Sequence, residues 1–195
     1  MAGQTPSAAG LSRSLVIGES ARRLAAVVEA PAGVHDDPPV VVRRQDGMVP
    51  STFTLVTEAP INAEVLFDLC LDIDAHVASM AQSGESAVAG VVKGRIGLDE
   101  TVTWRARHFG IWWTMTSQIT ALDRPTRFVD KQVHGPFKTF VHEHQFEQLA
   151  TGSRITDTVT IASPVFGMLA ERLVLVPYLR RLIAKRNTHL LTTLS

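Results

Sequence analysis

The sequence predicts an α+β fold, with an antiparallel sheet followed by a long C-terminal helix. Residues 101–161 alternate between apolar and polar side chains, short links with glycine and proline interrupt the alternation, and a helical apolar pattern fills residues 165–194. A period of two is typical of half-buried strands, whereas spacings of three and four residues are typical of a helix. We therefore expect a sheet with one inner face and one solvated face.

The first 47 residues differ from the rest of the chain. Residues 1–14 are rich in Ala, Gly, Ser and Pro, residues 15–30 are compatible with a short helix, and residues 31–39 resemble a linker. Strand-like alternation begins only after Met48. We therefore predict one domain over residues 48–195, preceded by an extension (1–47) that is a mis-assigned start, a disordered tail or the remnant of a larger chain.

Between the N-terminal segment and residue 101, the sequence predicts two strands separated by two short helices. Residues 52–58 alternate as a strand, and Asn62 can cap the first helix. Asp72 or Asp74 can begin a second helix, and residues 86–93 form the next strand. The predicted order is strand, two short helices, six strands and a long helix, which gives a seven-stranded sheet.

The C-terminal helix is predicted to be amphipathic. Pro177 should kink it near its middle. Its apolar stripe comprises Leu169, Leu173, Val176, Leu179, Leu182, Ile183, Leu190 and Leu194. The sequence favours a solvated helix face over a phosphate or nucleic-acid site for the basic cluster of Arg180, Arg181, Lys185 and Arg186.

Turn lengths predict how the strands pair, because the side-chain period of a strand is two. A turn at Phe109-Gly110 sets the pairs His108/Ile111, Ala106/Trp113, Trp104/Met115 and Val102/Ser117. The link at residues 122–125 sets Ile119/Phe128, Ser117/Asp130 and Met115/Gln132. The turn at residues 135–137 and the loop around Gly152 set Gln132/Phe140, Asp130/His142, Phe128/His144, Phe146/Ile155 and His144/Asp157.

Composition narrows the function classes. The formal net charge is zero and the isoelectric point is about 7.1, so no basic field indicates a nucleic-acid or membrane-surface partner. Cys70 is the only cysteine, which excludes an intrachain disulfide and favours a buried core thiol in a reducing cytoplasm. No apolar stretch approaches the roughly 20 residues of a membrane span. We expect a cytoplasmic protein without a cofactor, and the oligomeric state stays open.

Several local motifs resemble those of the SRPBCC superfamily, which includes START-like and pollen-allergen-like lipid carriers and polyketide cyclases/dehydrases. They are VTWRARHFG at 102–110, RFVD at 127–130, GPF at 135–137, HEHQF at 142–146 and the dipeptide TD at 156–157. The resemblance is to an uncharacterised bacterial branch and covers residue 49 to the C-terminus. It implies a helix-grip fold, in which a curved antiparallel sheet wraps around the C-terminal helix and leaves a cavity. It leaves activity open, because carriers and enzymes share this fold.

The inner face of the predicted sheet suits such a cavity, because apolar side chains surround a few polar ones. The alternative is that these side chains simply fill the hydrophobic core and leave no cavity. The expected ligand is a small hydrophobic molecule, such as a lipid, an isoprenoid or a polyketide. The predicted ligand-binding residues are Trp104, Trp113, Met115, Ser117, Ile119, Phe128, Asp130, Gln132, Phe140, His142, His144, Phe146 and Asp157.

The polar residues on this face admit three interpretations. Asp130 with His142, and His144 with Asp157, could be satisfied buried pairs that fix the sheet register. They could instead line a wet cavity and bond a ligand's oxygen atoms, or act as general acid and base in a cyclase/dehydrase- or hydrolase-like enzyme. The four are the candidate catalytic residues. His-x-His with an aspartate could also ligate a metal, but so short a motif is common by chance, and we predict no metal site.

Overall fold

The computed structural model describes residues 49–163 and 167–192 of the chain. The residues predicted to form the N-terminal extension, and Leu194 of the predicted stripe, lie outside this description. The strands are β1 (Ser51–Ala59), β2 (Ser86–Gly90), β3 (Thr101–His108), β4 (Ile111–Asp123), β5 (Arg127–His134), β6 (Thr139–Leu149) and β7 (Gly152–Ala162). The helices are α1 (Ala63–Leu71), α2 (Ile73–Ser79), a 3₁₀ turn (Ala81–Ser83), α3 (Gly167–Ala170), a π-helical segment (Glu171–Leu175) and α4 (Val176–Thr192).

The seven strands form one open antiparallel sheet, as predicted. Their order is β1-β7-β6-β5-β4-β3-β2, so the first strand pairs with the last and the others form a meander. Helix α4 packs against α2 and β1. The sheet and α4 therefore enclose the interior of the domain.

Two side-chain caps begin the short helices. Asn62 Oδ1 accepts a bond of 2.8 Å from the backbone N–H of Glu64, and Asp72 Oδ1 accepts one of 2.8 Å from that of Ala75. Both caps satisfy amides that lack partners in the first helical turn. The prediction for Asn62 is confirmed, and Asp72 rather than Asp74 begins α2.

Strand β2 is shorter than predicted. It ends at Gly90, which has φ +73°, instead of continuing to residue 93. A Cβ atom at this position would lie 2.1 Å from the carbonyl oxygen of Thr101. The close approach of β3 therefore requires glycine, and the backbone turns away there.

The predicted register is confirmed for most of the sheet but not between β4 and β5. The β3/β4 pairs, the β6/β7 pairs, and the pairs of Asp130 with His142 and Phe128 with His144 form as predicted. The predictions Ile119/Phe128, Ser117/Asp130 and Met115/Gln132 are wrong. Ile119 pairs with Asp130 and Ser117 with Gln132, because β4 extends to Asp123 and is irregular between Ile119 and Ala121. The net shift of two residues keeps each side chain on its predicted face.

The predicted pair of Gln132 with Phe140 is also absent from the ladder. The β5/β6 pairing stops at Lys131 with Val141. The Gln132 side chain instead bonds the backbone of Phe137, donating to its carbonyl at 2.7 Å and accepting from its N–H at 3.3 Å. Gln132 thus closes the β5/β6 turn.

The C-terminal helical region is interrupted, so part of its predicted stripe is wrong. Leu169 and Leu173 are 73% and 68% exposed, whereas Leu175, Ile183 and Leu190 are buried. The π-helical segment contains Leu173 and Leu175 and ends two residues before Pro177, which has no amide N–H for the helical ladder. Its wider turns change the direction in which the side chains point.

Two apolar clusters form the core. In the first, Phe67 makes edge-to-face contacts with Phe128 and Phe146 at centroid distances of 5.6 and 5.1 Å. The second contains Phe53, Phe140, Val159, Ile161, Leu175 and Ile183. Met115 packs against both clusters.

Candidate functional site

A cavity of about 210 Å³ lies among the inner face of the sheet, α1, α2 and α4. Most of the predicted ligand-binding residues line it, namely Trp104, Trp113, Met115, Ser117, Ile119, Phe128, Asp130, Phe140, His142 and His144. Gln132, Phe146 and Asp157 are not among the residues that line the cavity. Gln132 is held by the β5/β6 turn, Phe146 packs on Phe67, and Asp157 lies behind two histidines.

Asp157 on β7 is the centre of a buried polar cluster and is fully shielded from solvent. Its Oδ1 accepts a 2.9 Å hydrogen bond from Nε2 of His142, and Nδ1 of His144 lies 2.8 Å from the same oxygen without hydrogen-bond geometry. Its Oδ2 accepts a 2.7 Å bond from the side-chain amide of Asn187 on α4. The cluster therefore joins β6, β7 and α4.

The pKa values of this cluster follow from burial and from its contacts. Burial alone would raise the pKa of Asp157, but the contacts from His142 and His144 outweigh it and hold that pKa well below the usual range. Burial, together with the charge of His142, lowers the pKa of His144 to about 3. The geometry therefore favours an ionised Asp157 beside a neutral His144.

The prediction that His142 pairs with Asp130 and His144 with Asp157 is correct for strand register and only partly correct for side-chain bonding. His142 stands opposite Asp130 in the ladder, yet its Nε2 bonds Asp157. The Asp157 carboxylate thus contacts both histidines. The two rings lie 3.8 Å apart, and this overlap lets them reach the same oxygen.

Asp130 is left without a side-chain hydrogen bond among the described residues. Its Oδ1 is buried and unpartnered, and the side chain lines the cavity. Burial raises the pKa of this carboxyl, against the opposing effect of positive charge on His142, His76 and Arg186. An unpaired carboxyl in an apolar surrounding favours its neutral form, which can donate as well as accept.

The prediction that Arg186 lies on a solvated helix face is wrong. Arg180, Arg181 and Lys185 are exposed as expected for a solvated face, but Arg186 is only 5% exposed and lines the cavity. Helical spacing could have found it, because Ile183 and Leu190 lie three and four residues away on the buried side. Its positive charge instead favoured the prediction that the side chain is exposed to solvent.

A second polar pair lies on the cavity wall and was not predicted from the sequence. Nε2 of His76 on α2 forms a 2.7 Å hydrogen bond with Oε1 of Glu85. The ring of His76 stacks on Trp104, with the ring centroids 4.3 Å apart. Both His76 and Glu85 line the cavity. The contact joins a helix to the loop before β2, so no strand or helix period signals it.

The cavity wall reaches the protein surface at the β3/β4 turn. Nδ1 of His108 lies 2.7 Å from the hydroxyl of Tyr178, and the ring of Phe109 lies 4.5 Å from the ring of Tyr178. All three line the cavity, and Phe109 is exposed. His108 therefore lies at the turn end of the cavity wall.

The site offers acid–base groups but no activated nucleophile among the described residues. His142 lines the cavity with Asp157 behind it, an arrangement that can hold or move a proton. Ser117 Oγ is buried without a hydrogen-bond partner, so no base activates it. Burial raises the pKa of the Cys70 thiol to about 11, which keeps it protonated.

Asp130, His142 and His144 are the described residues that could hold a metal ion. One ligand atom from each lies within 4.8 Å of the others. One nitrogen of each histidine is already within 2.9 Å of Asp157, so each ring has one nitrogen left for a cation. The absence of a metal stays a prediction.

Comparisons with known proteins identify the fold. No protein-family model and no curated protein matches the chain. Among solved structures, a START superfamily protein from Mycobacterium smegmatis is similar over 74% of this chain and 99% of its own, with a TM-score of 0.59 and 13% identity. A major latex-like protein from ginseng is similar over 74% of this chain and 97% of its own, with a TM-score of 0.55 and 15% identity. A protein from Thermus thermophilus is similar over 74% of this chain and 100% of its own, with a TM-score of 0.57 and 19% identity.

These likenesses and the observed topology show a helix-grip fold, as the sequence resemblance implied. At this level of identity they show the fold alone. Over the part of the chain that the structure describes, no helix is long and apolar enough to cross a membrane.

Proposed function

We propose that this protein binds a small, mostly apolar molecule in the cavity between the sheet and α4. The observation that supports the proposal most is the cavity wall, in which aromatic and aliphatic side chains surround a few polar groups, the usual composition of a ligand site. The sequence resemblance to START-like and pollen-allergen-like lipid carriers agrees with this proposal, and the solved structures share the fold that it implied.

The size of the cavity limits the ligand. Its volume of about 210 Å³ compares with roughly 150 Å³ for an engineered apolar cavity that admits benzene. A ligand of one or two rings, or a short isoprenoid, fits this space without rearrangement of the wall. A ligand of 13 non-hydrogen atoms at roughly 0.5 kcal/mol per atom would bind with a Kd in the tens of micromolar.

Titration with naphthalene-2-carboxamide, followed by calorimetry, tests the proposal. Met115→Trp should reduce the affinity by at least about tenfold, because the larger side chain fills space that the ligand needs. Thr114→Trp is the matched control: Thr114 neighbours Met115 but is exposed, so this variant should bind as the wild type does. Absence of saturable binding, or equal affinity in wild type and Met115→Trp, would contradict the proposal.

An acid–base enzyme of the cyclase, dehydrase or hydrolase type is the second candidate. The hydrogen bond between His142 and Asp157 at the cavity wall favours it. Native mass spectrometry can identify a molecule that co-purifies with the protein, which is then returned to ligand-free protein. Release of the molecule unchanged supports a binding protein, whereas conversion that His142→Gln abolishes supports an enzyme.

A further inference from the structure

Arg186 is a buried cation that lacks a direct ion-pair partner. Its side chain projects from α4, is 5% exposed, and contributes the only lysine or arginine among the described residues that line the cavity. No carboxylate among residues 49–163 and 167–192 forms an ion pair with it. Burying a charge without a partner is costly, so an arginine kept here calls for a reason.

The hydrogen bonds of the guanidinium are incomplete. One terminal nitrogen donates to Oδ1 of Asn187 at 3.2 Å, and the other donates to the carbonyl oxygen of Cys70 at 3.4 Å, which is a long bond. Nε is buried and has no partner. A guanidinium carries five N–H donors, so three of them are available for another group.

The nearest negative charge reaches Arg186 only through an amide. The Asn187 side chain accepts a hydrogen bond from Arg186 and donates one of 2.7 Å to Asp157, so it orients the guanidinium. Asp157 keeps its contacts with His142 and His144. Asn187 is therefore a positioning residue. It fixes the guanidinium without satisfying Nε.

Asp130 provides a second unsatisfied polar group on the same cavity. Its Oδ1 is buried and unpartnered, and the charge of Arg186 is near enough to act on the pKa of Asp130. The two groups nevertheless form no ion pair. Both side chains line the same cavity.

We propose that the ligand is an amphipathic monocarboxylate, whose carboxylate binds Arg186 and Asp130 and whose apolar body lies among the aromatic side chains of the cavity. This inference rests on the proposed function and specifies its ligand class. Guanidinium and carboxylate match as a two-bond fork, which suits the free Nε–H and a neighbouring N–H.

The charges of the site favour a single negative charge on the ligand. Arg186 supplies one positive charge, and burial raises the pKa of Asp130 toward the neutral form that donates a hydrogen bond. Each negative charge on a ligand adds to that of the ionised Asp157. A singly charged carboxylate is therefore less costly in this site than a doubly charged phosphate.

The test compares naphthalene-2-carboxylate with naphthalene-2-carboxamide, which have the same shape and differ in charge. Calorimetry on the wild type at pH 7 should give a preference of at least about tenfold for the carboxylate, as expected for a charge-assisted bond in an enclosed site. Arg186→Gln should reduce the preference to within about threefold. Arg186→Lys, which keeps the charge but not the fork, should retain part of it.

Lys185→Gln is the matched control, because Lys185 is the exposed neighbour of Arg186 on α4 and carries the same charge. It should leave the preference unchanged, which excludes a general effect of net charge. Circular dichroism of each variant shows whether it is folded. If Arg186→Gln does not fold, the comparison of the two probes on wild type and Arg186→Lys decides.

The outcomes separate the two proposals. Equal binding of carboxylate and carboxamide to the wild type, or a full preference in Arg186→Gln, would overturn the carboxylate subsite while leaving apolar-ligand binding intact. Failure of both probes to bind would overturn the proposed function itself. A tenfold preference that only the Arg186 variants lose supports both.

Discussion

Asp130 and Asp157 are two carboxylates on the same face of one sheet, separated by β6, and their surroundings differ completely. Asp157 is contacted by His142, His144 and Asn187, and its pKa is lowered despite burial. Asp130 has no side-chain hydrogen bond among the described residues, and its pKa is raised by burial. The same residue type therefore has opposite electrostatic properties two strands apart.

The hydrogen-bond partners that are available to each acid explain this difference. His142 lies between the two acids and stands opposite Asp130 in the ladder, but its hydrogen bond goes to Asp157. A satisfied buried carboxylate joins elements of the fold, whereas an unsatisfied one lowers stability unless water or a ligand completes it. We infer that Asp157 maintains the structure and that Asp130 serves the cavity.

The largest expected effect is on stability, in the pair of variants Asp157→Leu and Asp130→Leu. Asp157→Leu should lower the free energy of unfolding by about 3–5 kcal/mol, because it leaves Asn187 and His142 without their acceptor and removes the carboxylate beside His144. Asp130→Leu should change it by less than about 1 kcal/mol or raise it, since no bond is lost. Urea unfolding monitored by circular dichroism measures both. Similar losses in the two variants would remove the distinction between the acids.

A smaller effect concerns pH and His144. The pKa of this histidine is about 3 in the folded protein and 6.5 in the unfolded chain, so the unfolded state binds more protons between these values. Stability should therefore fall as pH decreases below about 6.5, by up to about 1.4 kcal/mol per pH unit from this residue.

His144→Gln isolates this contribution, because the other titrating groups, His108 among them, are common to both proteins. Urea unfolding between about pH 5 and pH 7 should give a shallower dependence in the variant, and in this range Asp157 stays ionised. Identical pH dependence in the two proteins would show that His144 is not held neutral.

The sequence predicted the parts of this site that short turns control. The two-residue turn at Phe109-Gly110 and the loop around Gly152 leave little freedom of register, so the β3/β4 and β6/β7 pairs followed from turn position and side-chain period. The β4/β5 pairs did not, because the irregularity between Ile119 and Ala121 is a local backbone choice that alternation does not record.

Helical contributions to the site were harder to predict. The π-helical segment changes which side chains of the C-terminal region face inward, and a sequence period of 3.6 assumes that no such change occurs. Arg186 was assigned to solvent because arginine is rarely buried without a counter-charge. That rule failed at the position where we propose that a ligand supplies the counter-charge.

Thermal unfolding of Asp130→Leu, with and without naphthalene-2-carboxamide, tests the division between the two acids most directly. We expect the ligand-free variant to unfold at or above the wild-type temperature but to lose most of the ligand-induced increase in Tm. Asp130→Asn, which keeps hydrogen-bonding capacity, should recover part of that increase. A lower Tm in ligand-free Asp130→Leu, with the ligand-induced increase intact, would show that Asp130 supports the fold and not the ligand.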